Sequence, residues 1–285
     1  MTGTFEQYLI GSSSTLHRLR GQLRGLGGLP FPVLVTGEPG SGRRQAARAL
    51  HAASSLAAAP LLELDARDSL PREGLPARGT VLLAGVERLP SEAQSYWGRI
   101  ARGRGLGPRL LATAPASFAL RSAAADFEPA LLAALLRFSV HVPALRHRRA
   151  DIPELAHHFA AETARELGRP RQRLSESAVR ALGEAQFPGN VAELRRVIER
   201  TLAFSTGEEV SGDDVSAVLG EMRPSVDALR EHHRVEERET LLGALSEHGG
   251  NIARAAQSLG RSRAALYRMA EKHGIALQRQ SSVGS

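Results

Sequence analysis

The stretch FPVLVTGEPGSGRRQAARAL, residues 31–50, decides the fold of the first part of the chain. Residues 31–36 form a short apolar run bounded by prolines and a glycine, which predicts a buried strand. Residues 37–44 follow as a glycine-rich loop, and residues 45–54 predict an alanine-rich helix. Strand, loop and helix in this order form a phosphate cradle, because backbone N–H groups and a helix N-terminus favour an anion.

The loop departs from the phosphate-binding pattern G-x-x-x-x-G-K-[ST] at its last two positions. Gly37 and Gly42 take the glycine positions, but Arg43 replaces the lysine and Arg44 the hydroxyl residue, a usual magnesium ligand. Arginine keeps the charge but is longer and forked. The candidate nucleotide-binding residues are Gly37, Gly40, Gly42, Arg43 and Arg44, with ATP or ADP bound but not hydrolysed. The alternative is a tight strand-to-helix turn that has lost its ligand.

Three more short apolar runs alternate with helical stretches and predict a parallel α/β sheet. They are LLEL at 61–64, TVLL at 80–83 and RLLAT at 109–113. In P-loop ATPases the third strand ends in two acids, one for magnesium and one for the attacking water. Here it runs into Ala84 and Gly85. The nearest acid is Glu87, whose side chain we expect to leave the strand end from a different point.

Apolar periodicity predicts helices on both sides of this core. The spacing of Leu16, Leu19, Leu23 and Leu26 indicates a helix before it. After the core we predict a helix at 130–136, an extended segment at 140–145, and helices at 151–167, 175–185 and 191–204. The helix at 191–204 should bury Val191, Leu194, Ile198 and Leu202 on its inward face. Ser175 is a good cap, and residues 208–219 indicate a short strand and a small helix. Residues 151–219 therefore predict a helical lid.

The tail GGNIARAAQSLGRSRAALYRMAEKHGI, residues 249–275, predicts two short helices joined by a tight turn. Asn251 and Ser262 are good caps, and Gly260 and Gly274 are good stops. The inner faces would be Ile252, Ala255, Ala256 and Leu259, and then Ala265, Leu266 and Met269. The outer face is basic, which is typical of a helix-turn-helix that docks in the major groove. The alternative is a helical hairpin with a solvated basic face.

The candidate DNA-binding residues are Asn251, Arg254, Arg261, Ser262, Arg263, Ala264, Tyr267, Arg268 and Lys272. We expect residues 262–264 to reach base edges and Tyr267, Arg268 and Lys272 to contact phosphates. Palindromic half-sites would require a dimer, and a predicted helix at 235–248 with Leu241, Leu242 and Leu245 could supply its interface or pack on the tail.

Composition limits the classes of function. The 285 residues carry a net charge of +7, which suits a polyanionic partner. The absence of cysteine excludes disulfides, thiolate metal sites and cysteine nucleophiles. No apolar run approaches a membrane span, and the N-terminus lacks the features of a signal peptide. We therefore expect a soluble cytoplasmic protein with no membrane partner.

Six segments together resemble the bacterial enhancer-binding proteins, the AAA+ activators of the sigma-54 RNA polymerase. They are YLIGSSSTL, VLVTGEPGSGRRQAARALH, RGTVLLAGVERLP, VPALRHRRADIPELAHHF, FPGNVAELRRVIER and GGNIARAAQSLGRSRAALYR. The resemblance implies an α/β AAA+ P-loop parallel sheet at 1–150, a helical lid at 151–220, a linker at 221–234 and an all-α, Fis-type helix-turn-helix domain at 235–285. No receiver or other sensory domain is expected before the sheet.

The chain departs from this family at the catalytic positions. The family's lysine falls on Arg43, its Asp-Glu pair on Ala84 and Gly85, its sensor asparagine on Pro115, its trans-acting arginines on Glu128 and Ala134, and its lid arginine on Ala192. The insertion with the sigma-contacting GAFTGA loop is absent between the second and third strands. Arg137, Arg195 or Arg196 could replace a lost arginine, but so many separate replacements are not plausible.

We therefore expect a DNA-binding transcription regulator whose AAA+ domain is catalytically inactive and serves assembly or docking. The alternative is a switch in which nucleotide binds without hydrolysis and controls assembly on DNA; an active ATPase with an unusual catalytic set is the third reading. The expected partners are double-stranded DNA, a second copy through the C-terminal domain, and other AAA+ regulators or a signalling protein.

Overall fold

The computed structural model describes residues 5, 7–68, 75–103, 107–119, 127–222, 241, 245, 251–259 and 262–272. The chain divides into two compact units, residues 1–219 and 220–285, and each is described by itself. No helix among the described residues is both long enough and apolar enough to span a bilayer.

A five-stranded parallel sheet forms the centre of the first unit, as the alternating strands and helices predicted. Its strands are β1 (Val33–Gly37), β2 (Leu61–Asp65), β3 (Thr80–Ala84), β4 (Arg109–Ala114) and β5 (Ser139–Val142). The order across the sheet is β2-β3-β4-β1-β5. Because all strands run the same way, the ends of β1, β2 and β3 lie at one edge, where α/β sheets bind ligands.

Helices cover both faces of the sheet. They are α1 (Ser14–Gly27), α2 (Arg43–Ala52), α3 (Ser91–Arg102) and α4 (Pro129–Leu136). Val33 and Val35 of β1 pack in one core with α1 and α2, and Leu34 packs in the other with Trp97 of α3 and Leu131 of α4. This alternation follows from the two-residue period of a strand. The leucine spacing predicted for α1 is confirmed, since Leu16, Leu19 and Leu23 are buried.

The lid is helical, as predicted. It comprises α5 (Ile152–Glu166), β6 (Arg173–Leu174), α6 (Glu176–Glu184), α7 (Asn190–Phe204), β7 (Glu209–Val210) and α8 (Gly212–Met222). Ser175 caps α6, since its hydroxyl accepts a hydrogen bond from the Ala178 N–H. The inward face of α7 contains Leu194, Ile198 and Leu202 as predicted, but Val191 is only half-buried and Val197 is buried instead.

Several predicted boundaries were wrong by one or more residues, and three of these differences have a clear local reason. β1 begins at Val33 rather than at residue 31, because Pro32 lacks the N–H that a ladder needs. α2 begins at Arg43 rather than at residue 45, because Gly42 at φ +100° turns the chain directly into the helix. The segment 140–145 is not extended throughout: β5 ends at Val142 before Pro143, and Leu145–His147 is a 3-10 turn.

The second unit contains the predicted helix pair, α9 (Ile252–Ser258) and α10 (Arg263–Lys272). The predicted caps are confirmed: Asn251 Oδ1 accepts from the Ala253 and Arg254 N–H groups, and Ser262 Oγ accepts from the Ala265 N–H. The buried cluster consists of Leu241, Leu245, Ala255, Ala256, Leu266 and Ala270, with Ile252, Leu259 and Met269 packed against it. The predictions for Leu242, Gly260, Arg261, Gly274 and residues 223–234 lie outside the described residues.

Candidate functional site

A cavity of about 700 Å³ opens at the carboxyl edge of the sheet, beneath the lid. Its lining comes from residues 7–10, the loop after β1, the ends of β3 and β4, and helices α5 and α7. This volume is typical of small-molecule sites. Of the five predicted residues, Gly40, Gly42, Arg43 and Arg44 line this cavity. Gly37 ends β1 and is not among the lining residues.

The loop after β1 depends on glycine at two positions. Gly40 has φ +74°, and a Cβ there would overlap the carbonyl oxygen of Gly189 in the lid. Gly42 has φ +100°, and a Cβ there would meet nothing within 4 Å. Gly42 is also the N-cap of α2 and provides no side-chain cap. The start of α2 therefore faces open space, as an anion site at a helix N-terminus requires.

Arg43 places an unsatisfied cation beside this space. Its side chain is half-buried, and one terminal nitrogen, Nη1, is buried without a hydrogen-bond partner. Burial lowers the pKa of Arg43, and the nearby Glu87 carboxylate partly offsets that effect. The buried Ser41 hydroxyl also lacks a partner, whereas the Ser41 carbonyl accepts a 2.6 Å hydrogen bond from Arg148. An anion at the start of α2 could accept from Arg43 without displacing another partner.

At the end of β3 a guanidinium lies where the family resemblance implies an acid. Ala84 is buried and Gly85 has φ +78°. The Arg88 side chain folds back over Gly85, so that a Cβ at Gly85 would lie 2.6 Å from Arg88 Nε and 2.7 Å from its Cζ. Arg88 Nη2 also donates to the Ala84 carbonyl at 3.3 Å. The position at which the resemblance implies the acid pair is therefore not empty, because the Arg88 guanidinium occupies it.

A carboxylate on the neighbouring strand holds that cation in place. Asp65 ends β2 and pairs in register with Ala84. Its Oδ2 lies 3.5 Å from Arg88 Nη2 and 3.8 Å from Arg44 Nη2. A hydrogen bond from the Arg67 backbone N–H, and then the charges of Arg88, Arg67 and Arg44, lower the pKa of Asp65. Sequence reasoning missed Asp65, although its place at the end of a parallel strand was a usable signal.

Glu87 does leave the strand end from a different point, as expected. It lies in the 3-10 turn Val86–Arg88 that follows β3. One of its carboxylate oxygens is 3.8 Å from Arg88 Nε. Glu87 therefore lines the cavity as the partner of an arginine, and it does not occupy the position of either family acid.

Asn190 joins the phosphate loop to the lid, a contact that the sequence did not reveal. It is buried, at φ +58°. Its Nδ2 donates to the Pro39 carbonyl at 3.0 Å and to Glu38 at 3.2 Å, while its Oδ1 accepts from the Leu145 N–H at 2.8 Å. Glu38 also accepts two hydrogen bonds from Arg146, at 2.7 and 2.6 Å. These bonds, Arg146 first and Asn190 second, lower the pKa of Glu38 to about 2.

The arginines considered as replacements for the family's catalytic arginines have other partners. Arg137 lies over the rings of Phe31 and Phe138, 4.5 and 5.3 Å from their centroids. Arg195 lines the cavity but pairs with Glu199 at 2.6 Å and with Glu162 at 3.4 Å. Arg196 donates to the carbonyl of Ala192, one turn earlier in α7.

Two positions at which the family resemblance implies catalytic arginines have structural roles here. Glu128 is the N-cap of α4 and accepts a hydrogen bond from the Leu131 N–H. Ala192 lies against the phosphate loop, where its N–H donates to the Gly40 carbonyl at 3.2 Å. Neither residue offers the cavity a positive charge.

In the second unit, the predicted DNA-binding residues whose side chains the structure describes are all exposed. Ser262, Arg263, Ala264, Tyr267 and Arg268 are exposed on and before α10, while Leu266 and Ala270 face the core. Asn251 and Arg254 are exposed at the start of α9. The side chain of Lys272 and all of Arg261 lie outside the described residues. The amide oxygen of Asn251 is used as a helix cap, so its free contact group is the NH₂.

Three family models match consecutive parts of the chain. A Sigma-54 interaction domain matches residues 10–145, an AAA+ ATPase lid domain matches 146–232, and a Fis family bacterial regulatory protein domain matches 234–271. The sheet and the lid described above lie within the first two ranges, and the helix pair lies within the third except for Lys272.

Individual relatives align over nearly the whole chain. The nitrogen assimilation regulatory protein NtrX of Azorhizobium caulinodans is 28% identical over 94% of this chain and 69% of its own length. The transcriptional regulatory protein ZraR of Salmonella typhimurium is 28% identical over 90% of this chain and 67% of its own length. Crystal structures of NtrX from Brucella abortus in complex with ADP and with ATP are 27% and 28% identical to this chain, with TM-scores of 0.65 and 0.64. Each match covers 94% of this chain and 70% of the NtrX chain.

Proposed function

We propose that this chain, which belongs to the sigma-54 activator family of transcription regulators, acts on DNA through its Fis-type domain. We also propose that its AAA+ domain does not hydrolyse ATP. The AAA+ domain then serves assembly or docking. Its partners would be a second copy of the chain, other AAA+ regulators or a signalling protein.

One observation carries the proposal of inactivity: the Arg88 guanidinium lies over Gly85 at the end of β3. Phosphoryl transfer depends on positioned charges, including an acid that holds magnesium and a group that orients the attacking water. Alanine and glycine at positions 84 and 85 supply neither. A cation at this point would attract the γ-phosphate oxygens but would not activate a water molecule.

The test is steady-state phosphate release from ATP by the full chain, with and without DNA. We expect release at the level of the buffer blank. An Arg43→Ala variant removes the central cation of the cradle, and Arg171→Ala is the matched control because the Arg171 side chain is 86% exposed. Phosphate release that Arg43→Ala abolishes and Arg171→Ala preserves would show that the domain is an active ATPase.

A second candidate function is a switch that binds nucleotide without hydrolysis. The unpartnered Arg43 Nη1 beside the open start of α2 favours it, because a bound phosphate would satisfy that nitrogen. NtrX from Brucella abortus, which shares this fold, has been solved with ADP and with ATP. Titration of the full chain with a fluorescent ATP analogue tests it: a titration that does not saturate at millimolar nucleotide would exclude the switch.

A further inference from the structure

We propose that the cavity binds nucleotide without Mg²⁺, with Arg43, Arg44 and Arg88 supplying the positive charge that the metal supplies in P-loop ATPases. This inference rests on the second function above, in which the AAA+ domain binds nucleotide without hydrolysing it. It also explains why the departures at positions 43, 44, 84 and 85 occur together around one space.

The residues present do not fit Mg²⁺. This ion requires octahedral oxygen ligands, and in P-loop enzymes a loop hydroxyl and a strand-end carboxylate supply or orient the protein's share of them beside phosphate oxygens and water. Arg44 stands at the hydroxyl position and Ala84 at the carboxylate position. Among the described residues, no group of three or more acids or histidines could hold a metal ion.

The nearest carboxylates are already neutralised by arginine. Asp65, in register with Ala84, has Arg88 at 3.5 Å and Arg44 at 3.8 Å. Glu87 has Arg88 Nε at 3.8 Å. A divalent cation placed here would meet two guanidinium groups as well as the acids, and the repulsion would offset the gain from the carboxylates.

The charge of the cavity is suited to a metal-free polyanion. Five arginines and two glutamates are among the described residues that line it. Arg195 is paired with Glu162, and Arg148 is held by the Ser41 carbonyl. Near the loop, Arg43, Arg44 and Arg88 therefore remain against two carboxylates, Glu87 and the neighbouring Asp65. Free ATP carries more negative charge than its magnesium complex. The excess of guanidinium groups over carboxylates should therefore attract free ATP more strongly than its magnesium complex.

The phosphate loop also gives the anion its position. The first turn of α2 faces the open space at Gly42, and Arg43 follows directly with its unpartnered Nη1. Arg44 and Arg88 flank the same space from α2 and from the turn after β3. Guanidinium groups bind phosphate oxygens with two parallel hydrogen bonds, so they can hold phosphates that have no bridging metal.

The test is a titration of the full chain with 2′(3′)-O-N-methylanthraniloyl-ATP, in EDTA and in excess MgCl₂ at equal ionic strength. We expect binding in EDTA to be roughly threefold to tenfold tighter, because one or two partly exposed guanidinium groups meet the additional charge. Binding that is equal in the two buffers also supports metal independence. Binding that Mg²⁺ tightens would overturn the inference while leaving nucleotide binding intact, and no binding in either buffer would instead refute the nucleotide-binding function.

Variants separate the arginines from a general effect of charge. Arg44→Ala and Arg88→Ala should each weaken binding in EDTA several-fold and reduce the difference between the two buffers, whereas Arg171→Ala should change neither value. The unfolding midpoint of each variant, followed by Trp97 fluorescence, shows whether the fold is intact. Folded Arg44→Ala and Arg88→Ala proteins that bind as tightly as the parent would refute the role given to these arginines.

Discussion

Replacing Asn190 should reveal how strongly the lid is fastened to the phosphate loop. Asn190 is buried at φ +58° and bridges the Pro39 carbonyl, the Glu38 carboxylate and the Leu145 N–H. An alanine there loses every one of these bonds and must also hold a left-handed backbone. A glycine loses the same bonds without that strain.

The magnitude follows from the three contacts. The Leu145 N–H is donated to Asn190 in a buried hydrogen bond, and leaving such a group unsatisfied costs about 1–3 kcal/mol. The bond to the Pro39 carbonyl is partly buried and adds about 1 kcal/mol, whereas water can replace the bond to the Glu38 carboxylate. Left-handed backbone at alanine costs about 1–2 kcal/mol more. We therefore expect Asn190→Ala to lose about 3–6 kcal/mol of unfolding free energy and Asn190→Gly about 2–4 kcal/mol.

Urea unfolding of the full chain, followed by Trp97 fluorescence, measures both losses. Trp97 is the single tryptophan and is fully buried in the core of the sheet. The midpoint should fall in the order parent, glycine variant, alanine variant, and Arg171→Ala should match the parent. A glycine variant as stable as the parent would refute the energetic role of the side-chain bonds. An alanine variant as stable as the glycine variant would refute the argument from backbone strain.

Three other predictions concern single side chains. Burial lowers the pKa of His51, whose Nδ1 lies 2.8 Å from Thr80 Oγ1. As the pH falls through about 6.5, His51 gains a proton in the unfolded chain before it does so in the folded chain. The contribution of His51 to the free energy of unfolding should therefore be complete above that pH and decrease below it. Urea midpoints should show this decrease, and His51→Gln should flatten it. Asn251→Ala should destabilise the helix pair by about 1 kcal/mol, because α9 loses its N-cap. Thermal unfolding followed by circular dichroism should show a lower melting temperature for this variant, and an unchanged melting temperature would refute the contribution of the cap. Arg268→Ala should reduce the salt dependence of DNA binding by about one phosphate contact, and an unchanged slope in mobility-shift titrations would remove Arg268 from the interface.

The frame of the fold could be predicted because it depends on local patterns. The leucine spacing in α1, the glycine loop after β1 and the caps of α9 and α10 each lie within a few residues of the feature they determine. Boundary errors arose where one residue overrides the pattern. Pro32 ends the ladder early, and Gly42 starts α2 early through a backbone angle that no apolar period encodes.

The charged contacts of the site could not be predicted, because their partners are distant in the chain. Asn190 reaches Glu38 across 152 positions. Asp65 reaches Arg88 because β2 and β3 pair in one register, and a shift of one residue would point Asp65 to the other face. The sequence could thus show that the acids at 84 and 85 are missing, but only the paired strands show what replaces them.

The charges at the end of β3 are consistent with one another, and this bears on the proposal that the domain does not hydrolyse ATP. A carboxylate at position 85 would have to displace the Arg88 guanidinium and also adopt φ +78°, a conformation that strains an L side chain. If it did enter, it would form an ion pair with Arg88 instead of activating a water molecule. Arg44 has a similar effect at the position where P-loop ATPases bind magnesium. Its guanidinium lies 3.8 Å from the Asp65 carboxylate and would repel a metal ion bound there. We therefore expect that introducing a single acid at position 84 or 85 would not by itself produce ATP hydrolysis, since the arginines at 44 and 88 and the residues at the strand end form one arrangement of charge.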